Sequence, residues 1–304
     1  MPSATEAIYA LGLEDELYGV THECDYPKDA RSKPRLTKNK LKDNASSNEI
    51  DKEVRNSLGT GEGIYELDFE NLAMAAPDII FTQELCKVCA VPYGEIHRAS
   101  MKLSKNPKIV SLDTFSLSEI LVSIKTIGSS CGRNAEAARF VESLESRIER
   151  VTNLVLSTRL GSPPKSVFFM EWINPAMSCG HWMPEIISRA GGKDVMGVHG
   201  ENSKRVEWNE VVKASPEFLV IAPCGFGVEK AGAEARQLSK LKGWKEIRAV
   251  RESKVFVSDG NAYFSRPGPR IVDGLEILAS ILHPELTGNF GNSYGEKDYR
   301  RAEF

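Results

Sequence analysis

The sequence of 304 residues is long enough for about two domains of ordinary size, which excludes a small disulfide-stapled peptide. Its 39 Lys and Arg residues against 42 Asp and Glu residues give a net charge of -3, so no overall positive field favours a nucleic-acid partner. The hydrophobic fraction of 41% is typical of a globular protein, and no apolar run reaches the roughly 18 residues of a membrane span.

The N-terminal segment has neither a basic stretch nor an apolar core of the kind found in secretory signals. We therefore expect a cytosolic location for the chain as it stands, with a periplasmic or other extracytoplasmic location as the alternative if the N-terminus is incomplete. The run Leu17 to Val20 predicts a first strand. The seven Lys and Arg residues between positions 28 and 42 lack interleaved aromatic residues, which predicts a solvated face and not a nucleic-acid site.

A repeated unit organises the middle of the chain. Residues 68–81 align with residues 207–220 at an offset of 139, and both copies keep an acidic residue, an aromatic residue, a proline and an apolar run. Each copy predicts a short helix that ends before the proline and then a buried strand. A weaker repeat pairs residues 6–12 with residues 185–191. Two copies of an αβ unit indicate two similar lobes, each with a largely parallel sheet.

Residues 117–157 are predicted to be helical, with an interruption at Gly132-Arg133-Asn134. The second of these helices has one apolar stripe, formed by Val141, Leu144, Ile148, Val151 and Val155. Over roughly 24 residues such a helix is about 36 Å long, which suits a rigid connector between lobes.

Three further strands are predicted, at 166–170, 218–222 and 255–258, and the polar tail from Asn289 to Phe304 is expected to be poorly packed. The predicted fold class is α/β, with two Rossmann-like lobes of mostly parallel strands joined by a long helix. We assign residues 1–116 to an N-terminal lobe, 117–160 to connecting helices, 161–286 to a C-terminal lobe and 287–304 to the tail.

Unusual residues collect where the predicted strands end. Because ligands bind beyond the carboxyl ends of strands in open α/β sheets, we interpret these loops as walls of a cleft between the lobes. Large rigid faces that suit a flat or bulky ligand are offered by Tyr26, Trp172, Trp182, Phe226, Tyr263 and Phe264. Arg266 could bind a carboxylate or phosphate group of such a ligand. The sequence contains no P-loop, dinucleotide-binding glycine motif or nucleophile elbow.

Cys86 and Cys89 form a CxxC pair, which presents two thiolates for a soft metal such as zinc or iron. Further metal ligands could come from His22, Cys24, Cys179 and His181. Redox chemistry and thiols that only pack or line a ligand are the alternatives. Glu171 beside His181 is compatible with an acid–base pair, although such groups more often orient a ligand.

Several motifs occur in a characteristic order over residues 1 to 286. They are Pro2-Ser3-Ala4-Thr5-Glu6, His22-Glu23-Cys24-Asp25-Tyr26-Pro27, Tyr65-Glu66-Leu67-Asp68, Gln83-Glu84-Leu85-Cys86-Lys87-Val88-Cys89-Ala90-Val91, and Gly180-His181-Trp182-Met183-Pro184-Glu185 with Ala190-Gly191-Gly192. Together they resemble the cobalamin-binding branch of the iron-siderophore and vitamin B12 periplasmic-binding-protein superfamily. The resemblance implies two α/β lobes, a corrinoid or chelate held between them, and delivery to an ABC transporter. This family usually places a strand before the first motif, and the given chain starts inside that motif. We therefore expect either that the first lobe lacks this strand or that the gene start is misplaced.

We therefore predict a non-enzymatic, monomeric binding protein for a cobalamin-like corrinoid or a related metal chelate, with no resident cofactor and a possible ABC transporter permease as partner. Ligand contacts beyond the aromatic faces are expected from Ser3, Cys24, Asp25, Gln83, Glu171, His181 and Arg266. One alternative is a metal-binding protein or metal-dependent enzyme that uses zinc or iron at Cys86 and Cys89. Another is an interaction module that has kept the fold and lost the ligand.

Overall fold

A computed structural model describes residues 1–42, 44–60, 63–83, 91, 93–290 and 294–304. The chain divides into two compact units. Unit 1 comprises Met1–Thr114 and Ser118–Glu142, and unit 2 comprises Phe115–Leu117 and Ser143–Phe304.

The helices in the described residues are α1 (Pro2–Ala10), α2 (Ser47–Thr60), α3 (Phe69–Ala75), α4 (Tyr93–Ser100), α5 (Leu117–Ser130), α6 (Asn134–Thr158), α7 (Met183–Arg189), α8 (Trp208–Ala214), α9 (Val228–Ala235), α10 (Arg248–Arg251), α11 (Gly260–Tyr263) and α12 (Ile271–Leu282). The strands are β1 (Thr37–Asn39), β2 (Tyr65–Leu67), β3 (Ile79–Thr82), β4 (Lys108–Ser111), β5 (Lys165–Trp172), β6 (Met177–Ser178), β7 (Gly192–Asp194), β8 (Phe218–Ile221), β9 (Val255–Ser258) and β10 (Tyr299–Arg301).

Unit 1 contains a parallel pair, β3 with β4, and an antiparallel pair, β1 with β2. The strand predicted at Leu17 to Val20 does not form. Only Val20 pairs, through a single parallel bridge to Arg35. Its partner segment begins at Pro34, which accepts a hydrogen bond from the Val20 amide but has no N–H of its own, so the ladder cannot extend in that direction.

Unit 2 contains one sheet in the order β10-β9-β8-β5-β6, with β7 also paired to β5. The pairs β5–β7, β5–β8 and β8–β9 are parallel. The centre of β5, Val167 to Met170, is 0% exposed, which explains why its sequence is continuously apolar and does not alternate. The predicted α/β class, with mostly parallel strands in two units, is confirmed.

The repeat at an offset of 139 corresponds to a repeated structure. α3 with β3 and α8 with β8 are the two copies, and each helix has seven residues. Their C-caps, Ala76 and Ser215, occupy the same position in the repeat and both adopt left-handed backbone angles, with φ of 42° and 41°. In both copies the next residue is the proline that prevents the helix from continuing.

α5 and α6 match the predicted pair of helices, with the interruption at Gly132, whose φ is 71°. The predicted stripe on α6 is buried: Val141, Leu144, Ile148, Val151 and Val155 are all at most 4% exposed. α6 begins in unit 1 and ends in unit 2, since the division between the units follows Glu142.

The prediction of a poorly packed tail is wrong. β10 pairs antiparallel with β9 and adds an edge strand to the sheet of unit 2. Asp298 is only 5% exposed, and the ring of the last residue, Phe304, lies 4.6 Å from that of Trp244. The polar composition of the tail did not predict this packing, because β10 is an edge strand and an edge strand buries little of its own surface.

Candidate functional site

The carboxyl ends of β5, β8 and β9 meet at one edge of the sheet of unit 2, because the three strands are parallel neighbours. The segments at this edge are residues 171–182, 222–227 and 259–270, which include the end of β5, β6 and α11, and we call the group the carboxyl edge of unit 2. It holds eight of the predicted ligand-binding residues, namely Glu171, Trp172, His181, Trp182, Phe226, Tyr263, Phe264 and Arg266.

Trp172 and Phe226 form an aromatic pair at this edge, with ring centroids 5.3 Å apart. Lys230, one turn into α9, places its Nζ 4.1 Å from the Phe226 ring centroid. Burial lowers the pKa of Lys230. Phe226 is 2% exposed whereas Trp172 is partly accessible, so Trp172 is the ring of this pair that a ligand can contact.

Trp182 and Phe264 are buried, at 6% and 2% exposure, and they connect two loops of the carboxyl edge. The indole Nε1 of Trp182 donates a hydrogen bond to the Phe264 carbonyl at 3.1 Å. Phe264 also packs edge-on against Phe169 of β5, with centroids 5.2 Å apart. Because protein atoms cover the faces of Trp182 and Phe264, these two predicted contact residues pack within unit 2 and support the loops around them.

His181 is partly accessible and its backbone is left-handed, with φ of 52°. Its Nε2 lies 3.1 Å from Asn202 Oδ1. Its ring lies 5.7 Å from that of Phe115 and 5.6 Å from that of Trp182. Burial lowers the pKa of His181, which favours the neutral imidazole.

Glu171 is the carboxylate at the end of β5. Its Oε1 accepts a hydrogen bond from Ser203 Oγ at 2.8 Å. Desolvation raises the pKa of Glu171 to about 7, although the Ser203 hydroxyl and the Gly180 backbone oppose this shift. Glu171 and His181 share no hydrogen bond in the described part of the chain, so the predicted acid–base pair does not form here.

Tyr263 and Arg266 are held by polar neighbours. The Tyr263 hydroxyl donates to Asp298 Oδ1 at 2.6 Å, and burial beside that carboxylate raises the pKa of Tyr263. Arg266 is 7% exposed and donates from Nη2 to Asn261 Oδ1 at 2.8 Å. The Tyr263 ring is partly accessible, whereas the Arg266 guanidinium is engaged within unit 2.

In unit 1 the predicted residues lie on α1, on the 21–27 loop and after β3. Cys24 is 0% exposed, and its Sγ lies 3.2 Å from both Thr5 Oγ1 and Thr21 Oγ1. Ser3 is buried in the first turn of α1. The remaining three differ in exposure: Tyr26 is 47% exposed, and Asp25 and Gln83 are partly buried.

The CxxC pair lies outside the described residues, so the metal site predicted at Cys86 and Cys89 stays a prediction. Within the described ranges, no three His, Cys, Asp or Glu side chains come together in a way that would hold a metal ion. Over the same ranges, none of the helices combines the length and the apolar character needed to cross a membrane.

Sequence reasoning missed four contributors to the carboxyl edge: Phe115, Asn202, Ser203 and Lys230. Asn202 and Ser203 lie in an irregular loop between β7 and α8, where no periodicity marks them. Phe115 precedes α5 and is far from His181 in the sequence. Lys230 is the exception, because it follows Phe226 by four residues next to a predicted strand end, a spacing that brings side chains together at a helix start.

Comparison with known proteins agrees with this architecture. A family model described as periplasmic binding protein matches residues 1–262. The chain is 26% identical over 301 residues to an uncharacterized ABC transporter substrate-binding lipoprotein of Bacillus subtilis. This alignment covers 94% of this chain and 79% of the relative. It is 22% identical over 285 residues to a vitamin B12-binding protein of Vibrio cholerae, with 92% and 86% covered. A periplasmic heme-binding protein from Pseudomonas aeruginosa superposes with a TM-score of 0.71 at 19% identity, over 93% of this chain and 90% of that structure. The chain belongs to the periplasmic binding protein family.

Proposed function

We propose that this protein binds a bulky metal chelate at the carboxyl edge of unit 2, with cobalamin or a related corrinoid as the first candidate. The observation that carries the proposal is the convergence of accessible rings, Trp172, His181 and Tyr263, on one sheet edge whose buried rings hold them in place. Rigid aromatic faces of this kind favour a large ring system over a small hydrophilic solute.

The kind of chelate is proposed from the relatives. Similarity to a vitamin B12-binding protein over 92% of the chain supports a corrinoid. Similarity in fold to a heme-binding protein supports heme as the second candidate. Both ligands are large conjugated rings around a metal ion, so the same aromatic faces suit either one.

The biological role that we propose is ligand capture for an ABC transporter, without catalysis. The supporting observation is the relationship to an ABC transporter substrate-binding lipoprotein that spans 94% of this chain. This role favours the extracytoplasmic alternative over the cytosolic expectation. Zinc or iron bound at Cys86 and Cys89 remains a separate proposal, which metal analysis of the purified protein and of its Cys86→Ser, Cys89→Ser variant would test.

The first test is the Trp172→Ala substitution. Since Trp172 is the accessible ring of the Trp172–Phe226 pair, its loss removes one aromatic contact of roughly 0.5–1.5 kcal/mol together with its buried area. We expect the Kd for hydroxocobalamin, measured by titration followed by visible absorbance, to rise about tenfold, which corresponds to about 1.4 kcal/mol.

The matched control is Trp208→Ala, which removes an indole from α8 that stacks on Trp244 at 6.0 Å in the same unit. It should lower the thermal stability without changing the Kd. Equal affinities in the wild type and in Trp172→Ala would exclude the carboxyl edge as the binding site. Absence of saturable binding of hydroxocobalamin and of hemin at about 1 mM would exclude both proposed ligands.

A further inference from the structure

We infer that His181 supplies an axial ligand, through its Nδ1 atom, to the metal ion of the bound chelate. This inference rests on the proposed function, since it names the contact by which the carboxyl edge of unit 2 would recognise a metal chelate and not merely a flat ring.

The orientation of the imidazole is set by Asn202. Nε2 lies 3.1 Å from Asn202 Oδ1, an oxygen that can only accept, so Nε2 carries the proton and Nδ1 keeps its lone pair. Histidines that ligate metals use this arrangement, in which one ring nitrogen donates to a carbonyl or carboxylate oxygen and the other binds the metal. Within the described residues, Nδ1 of His181 forms no hydrogen bond of its own.

The backbone holds His181 in a conformation that side-chain-bearing residues rarely adopt. Its φ of 52° costs roughly 1–2 kcal/mol, which the surroundings must compensate. The His181 amide donates to Glu201 O at 2.6 Å, and the Gly200 amide donates to His181 O at 2.9 Å. Gly180 permits this close approach, because a Cβ there would lie 2.4 Å from Glu201 O.

Two aromatic rings restrict rotation of the imidazole. Phe115 and Trp182 lie at 5.7 Å and 5.6 Å from its centroid, at interplanar angles of 37° and 36°. Trp182 is itself fixed by its hydrogen bond to Phe264. A half-buried imidazole with a fixed tautomer, a fixed backbone and two neighbouring rings is preorganised to coordinate a metal, which lowers the entropic cost of forming the bond.

The ligation step is a simple exchange at cobalt. In hydroxocobalamin at neutral pH, a water molecule leaves the upper axial position and the Nδ1 lone pair forms the Co–N bond, while cobalt stays in the +3 state. In cyanocobalamin the cyanide occupies that position and does not exchange readily. The two corrinoids therefore form a matched pair of probes, one open to ligation by His181 and the other closed.

The experiment titrates the wild type, His181→Gln and His181→Gly with both corrinoids and follows the visible spectrum. We expect wild type to shift the hydroxocobalamin spectrum to that of an imidazole adduct, and both variants to bind without the shift and at least tenfold more weakly. Cyanocobalamin should bind all three proteins with similar affinity and with no shift. His181→Gly serves as the folding control, because glycine suits a φ of 52° and should preserve thermal stability.

A matched control is His199→Gln, since His199 lies in the same unit with its Nε2 3.4 Å from Glu185, and it should leave the shift intact. Binding of hydroxocobalamin without a shift, or a shift that persists in His181→Gln, would overturn the inference and leave the proposed function standing. If neither the corrinoids nor hemin bind the wild type, the proposed function fails, and the inference fails with it.

Discussion

Glu171 shows how a single partly buried carboxyl group links the candidate site to pH. Its ordinary pKa of 4.5 applies to the unfolded chain, whereas desolvation raises the pKa in the folded protein to about 7. Between these values the folded state holds the proton more tightly than the unfolded state. The free energy of unfolding therefore falls as the pH rises from about 4.5 to about 7, and this group causes no further change above that range.

We expect Glu171→Gln, which stays neutral at every pH, to remove this loss. On going from about pH 4 to about pH 8, the variant should gain up to about 3 kcal/mol of stability relative to wild type. Urea unfolding at a series of pH values measures the difference. Glu210→Gln, at an exposed position of α8, is the control and should track wild type throughout. Parallel stability profiles for Glu171→Gln and wild type would show that Glu171 is solvated in the folded state.

Asp298, which lies in the C-terminal tail, holds the side chain of the candidate ligand-binding residue Tyr263 in place. Its carboxylate accepts from the Tyr263 hydroxyl at 2.6 Å and from the Gly295 amide at 2.9 Å, and the residue is 5% exposed. We expect Asp298→Ala to cost about 1–3 kcal/mol of stability, because the change removes a buried charged acceptor that holds two hydrogen bonds. In a Tyr263→Phe background the same change should cost less, and a double-mutant cycle by chemical unfolding measures the coupling. Zero coupling would mean that the Tyr263–Asp298 bond does not form in solution.

At the scale of elements, the two copies of the repeat differ in how they compensate the backbone strain at the end of their helix. Both helices, α3 and α8, end on a residue with left-handed backbone angles, yet neither residue is glycine. Ser215 is compensated, because its Oγ accepts a hydrogen bond from the Arg248 amide at 2.9 Å. Ala76 has a side chain that cannot accept one.

We therefore expect Ala76→Gly to stabilise the protein by roughly 0.5–1 kcal/mol, since relief of the left-handed strain exceeds the added entropy of the unfolded chain. Ser215→Gly should be close to neutral, because it relieves the same strain but loses the hydrogen bond. Thermal unfolding of both variants tests the comparison. Ala73→Gly, at an exposed position inside α3, should instead destabilise by about 1 kcal/mol. Destabilisation by Ala76→Gly would contradict the assigned backbone angles.

At the scale of the whole molecule, the sequence predicted what depends on local pattern. The repeat, the stripe on α6 and the strands β3, β5, β8 and β9 follow from periodicity and prolines that act within a few residues. The pairing of β10 with β9 and the loss of a strand at Leu17 to Val20 depend on distant partners, which a single segment does not reveal. Likewise, the predicted strand ends located the carboxyl edge of unit 2. Asn202 and Ser203 were missed because they lie in a loop whose sequence has no periodic pattern.

The continuity of α6 constrains changes in chain length. Its buried side chains include Ala137 and Val141 before the division between the units, and Leu144, Ile148 and Val151 after it. Each helical residue advances the chain by about 100° and 1.5 Å. One extra residue after Glu142 would rotate the apolar side chains before it by that angle relative to those after it, so the two groups would no longer form one stripe along the helix. An insertion within α6 would therefore interrupt its apolar stripe, whereas an insertion in the turn at Gly161-Ser162-Pro163-Pro164, which is exposed, would leave that stripe intact.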